Sequence, residues 1–479
     1  MPGSCRTNPF WNDNKNAIYD AKTLGYPKMF VLGLQHMFAM FGATVLVPAL
    51  TGLSVSATLL FAGLGTLLFH FLTRGKVPAF LGSSFAFIGG YAAIAPMLGE
   101  NGDIPNKELL PYACLGVAAA GCLYLVLAAL IKAFGQKRVM RFFPPIVTGP
   151  IIIAIGLTLS KSAIDNCKQN WVVAVLAILV VVVCNIYGKG MVKIVPIILG
   201  VIVSYIAACC LGIVNFDQVK DAAWIGLPFK MEDTVFEIFK DPDSSLIANS
   251  IITIMPIALA TMVEHIGDIS AISSTTNRNF IEDPGLHRTL LGDGLATILA
   301  SLFGAPANTT YGENTGVLSL TKVYDPKVIR IAAYCAIAFS FSPKFAALIA
   351  SMPAATVGGV SIVLYGMISA VGVRNIVENQ VDFSKSRNII IAALILGFSI
   401  GVNYSGAIQF SIGSVDIALS GLAIGALIGI IFNAILPLEE REYKGANKAY
   451  VTESEGTISN QPKRMDAKRK IENKKKSKK

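Results

Sequence analysis

The chain has 479 residues, of which 53% are hydrophobic and only 15% are charged, and its mean hydropathy is +0.60. Soluble domains carry about 25% charged residues, so this composition excludes an ordinary soluble protein. Much of the formal net charge of +10 lies after Leu438, in a tail that ends "KRMDAKRKIENKKKSKK". We interpret residues 437–479 as a disordered, basic cytoplasmic tail attracted to anionic lipid, and we expect no nucleic-acid partner.

Apolar segments long enough to cross a hydrocarbon core of about 30 Å as helices recur from Met29 to Leu436. They predict an all-α polytopic membrane protein with about fourteen transmembrane spans. The predicted spans are residues 29–49, 56–73, 79–98, 111–133, 143–160, 170–187, 193–214, 249–272, 286–303, 309–322, 328–350, 354–373, 387–403 and 411–436. No cleavage site of the A-x-A kind follows the first span, so residues 1–28 are expected to be a cytoplasmic segment and not a removable signal peptide.

The eight cysteines predict neither a disulfide framework nor a metal site. Most of them lie within apolar segments, and they show no C-x-x-C spacing. We therefore interpret them as small core residues, and we expect no metal ion and no cofactor.

Lysine and arginine collect at alternate span ends, which predicts the orientation of the chain. The predicted inside loops contain Arg74, Lys76, Lys132, Lys137, Arg138, Arg141, Lys189, Lys193, Arg278, Arg288, Lys322, Lys327, Arg330, Arg374, Lys385 and Arg387. The longest opposite loop, residues 215–243, carries seven acidic residues against three basic ones. We therefore expect a multi-pass cell-membrane protein with both termini cytoplasmic and with residues 215–248 as an extracellular connector.

An extracellular connector near the middle gives the two halves opposite polarity, which is the arrangement of an inverted repeat. The predicted repeats are residues 29–214 and 249–436. The third span of each contains a glycine-rich, leucine-poor stretch, "GSSFAFIGG" (residues 82–90) and "TTYGENTGV" (residues 309–317). A broken span needs polar partners from protein or from a cavity, so the matched pair indicates one shared binding site. The alternative is that these glycines only let helices pack closely.

Few acidic residues lie within the predicted spans, where a charged side chain costs at least about 2.5 kcal/mol. Glu264 and Asp268 are one helical turn apart in "MVEHIGDIS", and Glu313 lies in the second glycine-rich stretch. We predict that Glu264 and Glu313 are functional; the structural alternative is a carboxylate that is protonated or paired with a cation. For Asp268 the alternative is a helix-stabilising contact with His265 or Arg278.

His36, in "LQHMFAMFGA" of the first span, is interpreted as a hydrogen-bonded packing residue, and Asp416, near the start of the last span, as interfacial.

The carboxylates of Glu264 and Glu313 offer hydrogen-bond acceptors, and the N-terminus of a half-helix offers N–H donors. Together they match a small planar ligand with both C=O and N–H edges, such as the nucleobase uracil. Two acids disfavour an inorganic anion.

The chain resembles the nucleobase-ascorbate transporter family over most of the segment from Leu34 to Asp382. The resemblance rests on the stretches "LQHMFAMFGATVLVPAL", "GKVPAFLGSSFAFIGG", "VEHIGD", "EDPGLHRTLLGDGLAT", "NTTYGENTGV", "LTKVYDPKV" and "GGVSIVLYGMI". It implies two inverted repeats divided into a core domain (spans one to four and eight to eleven) and a gate domain (spans five to seven and twelve to fourteen). It also implies short extended strands that meet in spans three and ten, proton-coupled uptake and a working homodimer.

Carried over residue by residue, the resemblance also assigns a substrate site. Glu264 and Glu313 match the acids that bind the base, and the backbone N–H groups of Phe85 and Gly312 match the donors to its carbonyls. The pocket-lining positions of the family are Ala43, Tyr311 and Tyr365. His36 and Asn314 are expected to support the site structurally.

Some members of the family have histidine where this chain has Asp268, and that histidine is linked to coupling. Two carboxylates one helical turn apart repel each other unless one is protonated. The hypothesis is therefore that Glu264 and Asp268 hold the transported proton. Purine-transporting members typically have glutamine at the position of Glu313, so the carboxylate here favours uracil.

The expected function is proton-coupled import of uracil by movement of the core domain against the gate domain. A xanthine or purine permease of the same fold is the alternative. An anion exchanger of related architecture is disfavoured by the two acids. A membrane enzyme is disfavoured because the sequence contains no Asp-rich metal motif, nucleophile elbow or Gly-rich phosphate loop.

Overall fold

The computed structural model describes residues 17–98, 104–406, 408–412 and 415–437, so the predicted tail 437–479 lies almost entirely outside the described residues. The helices before the central connector are α1 (Tyr26–Thr51), α2 (Val55–Leu72), α3 (Ile88–Ile94), α4 (Leu110–Phe134), α5 (Gln136–Val139), α6 (Pro145–Cys167), α7 (Trp171–Tyr187), α8 (Met191–Ile194) and α9 (Pro196–Cys210). From the connector onward they are α10 (Asp217–Asp221), α11 (Ser244–Ile254), α12 (Ala258–Thr276), α13 (Leu286–Leu302), α14 (Gly312–Thr321), α15 (Pro326–Ser340), α16 (Pro343–Ala350), α17 (Ala354–Glu378), α18 (Ser386–Ser405) and α19 (Gly421–Ile435). The four strands in the described part of the chain are β1 (Leu81–Ser83), β2 (Asn308–Thr310), β3 (Ile408–Ile412) and β4 (Val415–Leu419).

Several helices have the length and apolarity that a membrane span requires. Within the described ranges, seven qualify, one of which joins α11 and α12 through the turn Met255–Ile257 into a single 33-residue span. The pair α15 and α16 would make an eighth if it formed one span, and α7, α9 and α19 are shorter apolar helices. The predicted class, an all-α polytopic membrane protein, is confirmed.

The predicted span 328–350 is wrong as a single helix. α15 ends at Ser340, and α16 leaves it at an angle of 89°. Ser342 caps the new helix, since its hydroxyl oxygen accepts the N–H of Phe345 at 3.4 Å, and Pro343 occupies the first helical position. Serine followed by proline is a typical helix start, because the proline lacks the N–H that would be unpaired there.

The predicted boundaries at the last span and at the connector also need correction. The first part of span 411–436 forms the antiparallel hairpin β3–β4, in which Ser411 pairs with Asp416, and a helix begins only at Gly421. Asp416 therefore lies in a strand. The connector ends at Asp243 and not at residue 248, because its carboxylate caps α11 by accepting the N–H of Ser245 at 2.8 Å.

Most of the longer helices pack in two sets. One set contains α1, α2, α4, α11, α13 and α15, and the other contains α6, α7, α9, α17, α18 and α19. The most extensive contact in the second set joins α6 and α17. A Cβ atom added at Gly156 of α6 would lie 2.2 Å from the Tyr365 carbonyl oxygen of α17, so only glycine permits this close approach. α12 contacts helices of both sets, including α4, α6 and α19.

Candidate functional site

The two broken spans meet through their strands. β1 and β2 pair antiparallel, with Leu81 opposite Thr310 and Ser83 opposite residue 308. The ladder continues by one bond at each end, from the Ser84 N–H to the Ala307 carbonyl (2.8 Å) and from the Tyr311 N–H to the carbonyl of residue 80 (3.1 Å). The predicted meeting of short strands from spans three and ten is confirmed.

Side chains of neighbouring helices support this strand pair. The Leu81 N–H donates to the Thr66 hydroxyl of α2 at 2.9 Å, and the Asn308 amide donates to the Phe61 carbonyl of the same helix at 2.9 Å. The Thr297 hydroxyl of α13 donates to the Asn308 carbonyl at 2.8 Å. Extended backbone at membrane depth requires such partners, because lipid offers none.

Tyr311 connects the strand pair to α1. Its buried hydroxyl donates to the Ser83 carbonyl at 2.8 Å and accepts from the Thr44 hydroxyl at 3.3 Å. The Ser83 hydroxyl donates back to the Thr44 carbonyl at 3.0 Å. Ala43 is fully buried in α1, next to Thr44. Tyr311, predicted from the resemblance to line the pocket, thus holds β1, β2 and α1 together through its hydroxyl.

The predicted amide donors lie directly beyond the ladder. Phe85 directly follows Ser84, whose N–H makes the last hydrogen bond of the strand pair, and Gly312 is the first residue of α14. The first N–H groups of an α-helix have no partner within the helix, so the start of α14 presents donors. A Cβ atom at Gly312 would meet no heavy atom within 4 Å, so this end of α14 borders open space. The buried Tyr365 ring of α17 packs edge-on against the Phe85 ring, with centroids 5.8 Å apart.

One acid of α12, Asp268, contacts the strand pair, and Glu264 lies one helical turn before it. Glu264 and Asp268 are both half-buried, and a Cβ atom at Gly267 between them would meet nothing within 4 Å. Asp268 accepts a hydrogen bond of 2.8 Å from the Thr310 hydroxyl of β2. Glu313 is the second residue of α14; its side chain lies outside the described set.

The two alternative partners of Asp268 are engaged elsewhere. His265 Nδ1 lies 3.0 Å from Asp293 Oδ2, and the Arg278 guanidinium stacks on the Tyr19 ring, 4.3 Å from its centroid. Asp268 itself accepts a hydrogen bond from the Thr310 hydroxyl. This bond is a link between α12 and the strand pair, besides the helix-stabilising contact with His265 or Arg278 that the sequence offered as the alternative for Asp268.

His36 and Asn314 meet beside the second break. The Asn314 amide nitrogen lies 3.3 Å from His36 Nδ1 and donates to the His36 carbonyl at 3.3 Å, and both residues are buried. This contact joins the first turn of α14 to α1. It positions the helix start that carries Gly312 and Glu313.

Asp293, a fully buried acid of α13, was not among the predicted functional acids. Its carboxylate approaches His265 within ion-pair distance, although the atoms are not aligned as a hydrogen bond. Since His265 directly follows Glu264 in α12, this pair lies next to the candidate site. The criterion that selected Glu264 would also have selected Asp293, because it lies within the predicted span 286–303.

The site therefore combines amide donors at the start of a half-helix with carboxylate acceptors on a neighbouring helix. This arrangement suits a neutral ligand with both donors and acceptors more than an anion. No cluster of three or more histidine, cysteine or acidic residues able to hold a metal ion occurs in the described ranges. The arrangement offers hydrogen-bond recognition.

Residues 27–408 match the model of the Xan_ur_permease family, described as a permease family. The chain belongs to this family. Its relatives include the uracil permease of Bacillus subtilis (strain 168), which is 39% identical over 423 residues, covering 85% of this chain and 92% of the relative. The uracil permease of Escherichia coli (strain K12) is 37% identical over 418 residues, covering 85% and 91%. The resemblance to the nucleobase-ascorbate transporter family is confirmed, and so is the expectation of a transporter and not an enzyme.

Solved structures of two other transporters share the fold. The transmembrane domain of the cyanobacterial bicarbonate transporter BicA superposes with a TM-score of 0.55 at 15% identity, covering 87% of this chain and 98% of that one. The structure of SLC26A9 gives a TM-score of 0.58 at 14% identity, covering 87% and 66%. At these identities the likeness concerns the fold alone.

Proposed function

We propose that the chain is a proton-coupled symporter that imports uracil across the cell membrane. The observation that carries the proposal is the pairing of β1 with β2, which brings the amides of Phe85 and Gly312 and the carboxylates of α12 to one region. The names of the relatives, uracil permeases, support the substrate. A nucleobase edge offers both the acceptors and the donors that such a site complements.

In the proposed binding mode, Glu264 and Glu313 accept the N–H groups of uracil, and the amides of Phe85 and Gly312 donate to its carbonyls. Tyr365 and Ala43 lie at the border of the pocket, and Tyr311 holds the strand pair in place. A site of this kind discriminates strongly, because a ligand with the wrong edge leaves buried polar groups unpaired. Glu313 in place of an amide favours uracil over xanthine or another purine.

The proposed proton site is formed by Glu264 and Asp268. The hydrogen bond from Thr310 to Asp268 supports this role, since it links the carboxyl to the strand that carries the amide donors. Protonation reduces the negative charge that faces the outward cavity and thereby favours docking of the neutral base. Substrate and proton then leave together on the cytoplasmic side.

Alternating access is proposed to arise from movement of the core domain against the gate domain. The two packing sets of helices support this division, because the first contains only helices of the expected core and the second only helices of the expected gate. The Phe85–Tyr365 contact joins the residue that follows the strand pair to α17 of the second set. We further propose that both termini are cytoplasmic and that the working unit is a homodimer in the lipid bilayer.

Uptake of radiolabelled uracil by whole cells, with and without a pH gradient, tests the proposal. We expect uptake that a protonophore abolishes and that Glu264→Gln and Glu313→Gln each reduce severely. Normal transport by both variants would show that the site is elsewhere. Strong competition by unlabelled xanthine but not by unlabelled uracil would assign the chain to purine transport.

A further inference from the structure

An apolar groove lies between α4, α12 and α19, away from the strand pair. Its volume is about 570 Å³, within the range of about 300–1,000 Å³ that is typical of ligand sites. Val126, Leu130 and Phe134 of α4, Met262 of α12 and Ile431 of α19 contribute to its wall. Among the described residues, Arg138 is the one charged residue that lines it. The groove is thus a long apolar surface with a cation at one end.

The groove opens to the surroundings of the protein. Val126 is 53% exposed, Phe134 58% and Ile431 49%. These residues belong to helices that are long and apolar enough to cross a membrane, or to a shorter apolar helix, so we assign their exposed surface to lipid and not to water. An acyl chain is the occupant that the bilayer supplies at this depth.

Further basic residues lie near Arg138 at the charged end of the groove. Lys132, Lys137 and Arg138 are all exposed, and the sequence contains no acidic residue between Glu108 and Asp165. Cations at the end of a membrane helix attract anionic headgroups, and a guanidinium binds phosphate through two parallel hydrogen bonds. An apolar groove with a basic end complements a molecule with an apolar chain and an anionic head.

We propose that an anionic phospholipid of the surrounding bilayer occupies this groove. Its acyl chain lies between α4, α12 and α19, and its phosphate binds Arg138 and Lys137. α4 belongs to the first packing set and α19 to the second, so the lipid bridges the two sets. Retention of the lipid does not depend on the proposed transport function. Any effect of the lipid on uracil transport rests on that proposed function.

Native mass spectrometry of the purified protein tests retention directly. The full chain is reconstituted in bilayer discs of phosphatidylcholine with or without phosphatidylglycerol, and the lipids that stay bound are counted. We expect selective retention of phosphatidylglycerol by the wild type. In the double variant Lys137→Gln/Arg138→Gln the affinity should fall about 30-fold, which corresponds to about 1 kcal/mol for each cation.

The double variant Lys28→Gln/Arg74→Gln is the matched control. It also removes two exposed cations from the side of the protein that is proposed to be cytoplasmic, but neither residue lies in α5, the helix that carries Lys137 and Arg138 at the basic end of the groove. It should retain phosphatidylglycerol like the wild type. Ile431→Trp, which fills the groove and keeps the charges, should reduce retention.

Equal retention by the groove variant and the control would overturn the proposal. Disulfide-linked dimers of a Val126→Cys variant in which the exposed Cys122 is replaced by Ser would overturn it too, since they would place a second copy of the chain on the groove. A thermal-shift measurement shows that each variant is folded. If uracil transport proved absent while selective retention persisted, only the proposed function would fail.

Discussion

Replacing Gly82 by alanine tests whether the strand pair creates the binding site. A Cβ atom at this position would lie 2.6 Å from two atoms of the Tyr311 ring and 2.8 Å from the Thr44 hydroxyl. Contacts this short force a neighbour to move. Both neighbours are buried, and the Tyr311 hydroxyl is bonded to the Ser83 carbonyl. The methyl group therefore displaces the tyrosine that holds β1, β2 and α1 together.

The size of the effect follows from these contacts. Overpacking a well-packed interior costs about 1–3 kcal/mol, and the lost hydrogen bond from Tyr311 to Ser83 adds about 1 kcal/mol. The total is about 2–4 kcal/mol. Binding weakens only by the part of this cost that falls on the uracil-bound state; where that part equals the lower limit, the dissociation constant for uracil rises about 30-fold.

Equilibrium binding of radiolabelled uracil to the purified protein measures this change, with thermal unfolding of the same samples as a second readout. Gly89→Ala is the control, because Gly89 is exposed on α3 in the same span and an added Cβ atom would meet nothing within 4 Å. We expect it to bind like the wild type. If Gly82→Ala binds uracil as tightly as the wild type and unfolds at the same temperature, the strand pair does not shape the site.

Three further predictions follow from other hydrogen bonds. Asp268→Asn keeps an oxygen that can accept the hydrogen bond from Thr310, so uracil binding should persist. Accumulation of uracil driven by a pH gradient should fall about tenfold or more, because the amide cannot take up the proton. Unchanged accumulation would exclude Asp268 as the proton site. Asp325→Ala should lower the free energy of unfolding by about 2–4 kcal/mol in denaturation experiments, because the carboxylate caps α15 and also accepts the Ala21 N–H at 2.9 Å. Asp20→Asn should lower the unfolding temperature slightly at neutral pH, since the Lys22 N–H and then the Lys327 ammonium hold the pKa of Asp20 below its ordinary value. The stabilisation from Asp20 is fully present above its ordinary pKa and is lost as the pH falls through the lowered pKa of the folded protein. The unfolding temperatures of wild type and variant should therefore converge in acid. A difference in unfolding temperature that stays constant with pH would contradict this assignment.

The broken spans illustrate what local sequence can predict. Glycine-rich, leucine-poor stretches at matching positions of two halves indicate interrupted helices, because glycine weakens a helix and lipid offers no replacement hydrogen bonds. The pairing register was not predictable in this way. It depends on Thr66, Thr297 and Asn308, which lie far apart in the sequence and meet only in the folded protein.

The errors at spans eleven and fourteen have a local cause. Hydropathy averages over a window, so an apolar stretch appears continuous even where Ser342 and Pro343 start a new helix at 89° to the last. The hairpin β3–β4 is apolar like a helix, and only its β-branched composition distinguishes it. Both cases needed the local capping and strand signals that a hydropathy count ignores.

The sequence by itself determined that the chain crosses a membrane, which family it belongs to, and that Glu264, Asp268 and Glu313 are costly acids in an apolar setting. These properties follow from composition and from order along the chain. Only the tertiary structure decided that Asp268 binds Thr310, that His265 faces the unpredicted Asp293, and that Tyr311 is bonded to Ser83. The physical reason is that a buried polar group takes its partner from whichever helix or strand packs against it, and that neighbour is set by the fold and not by distance along the sequence.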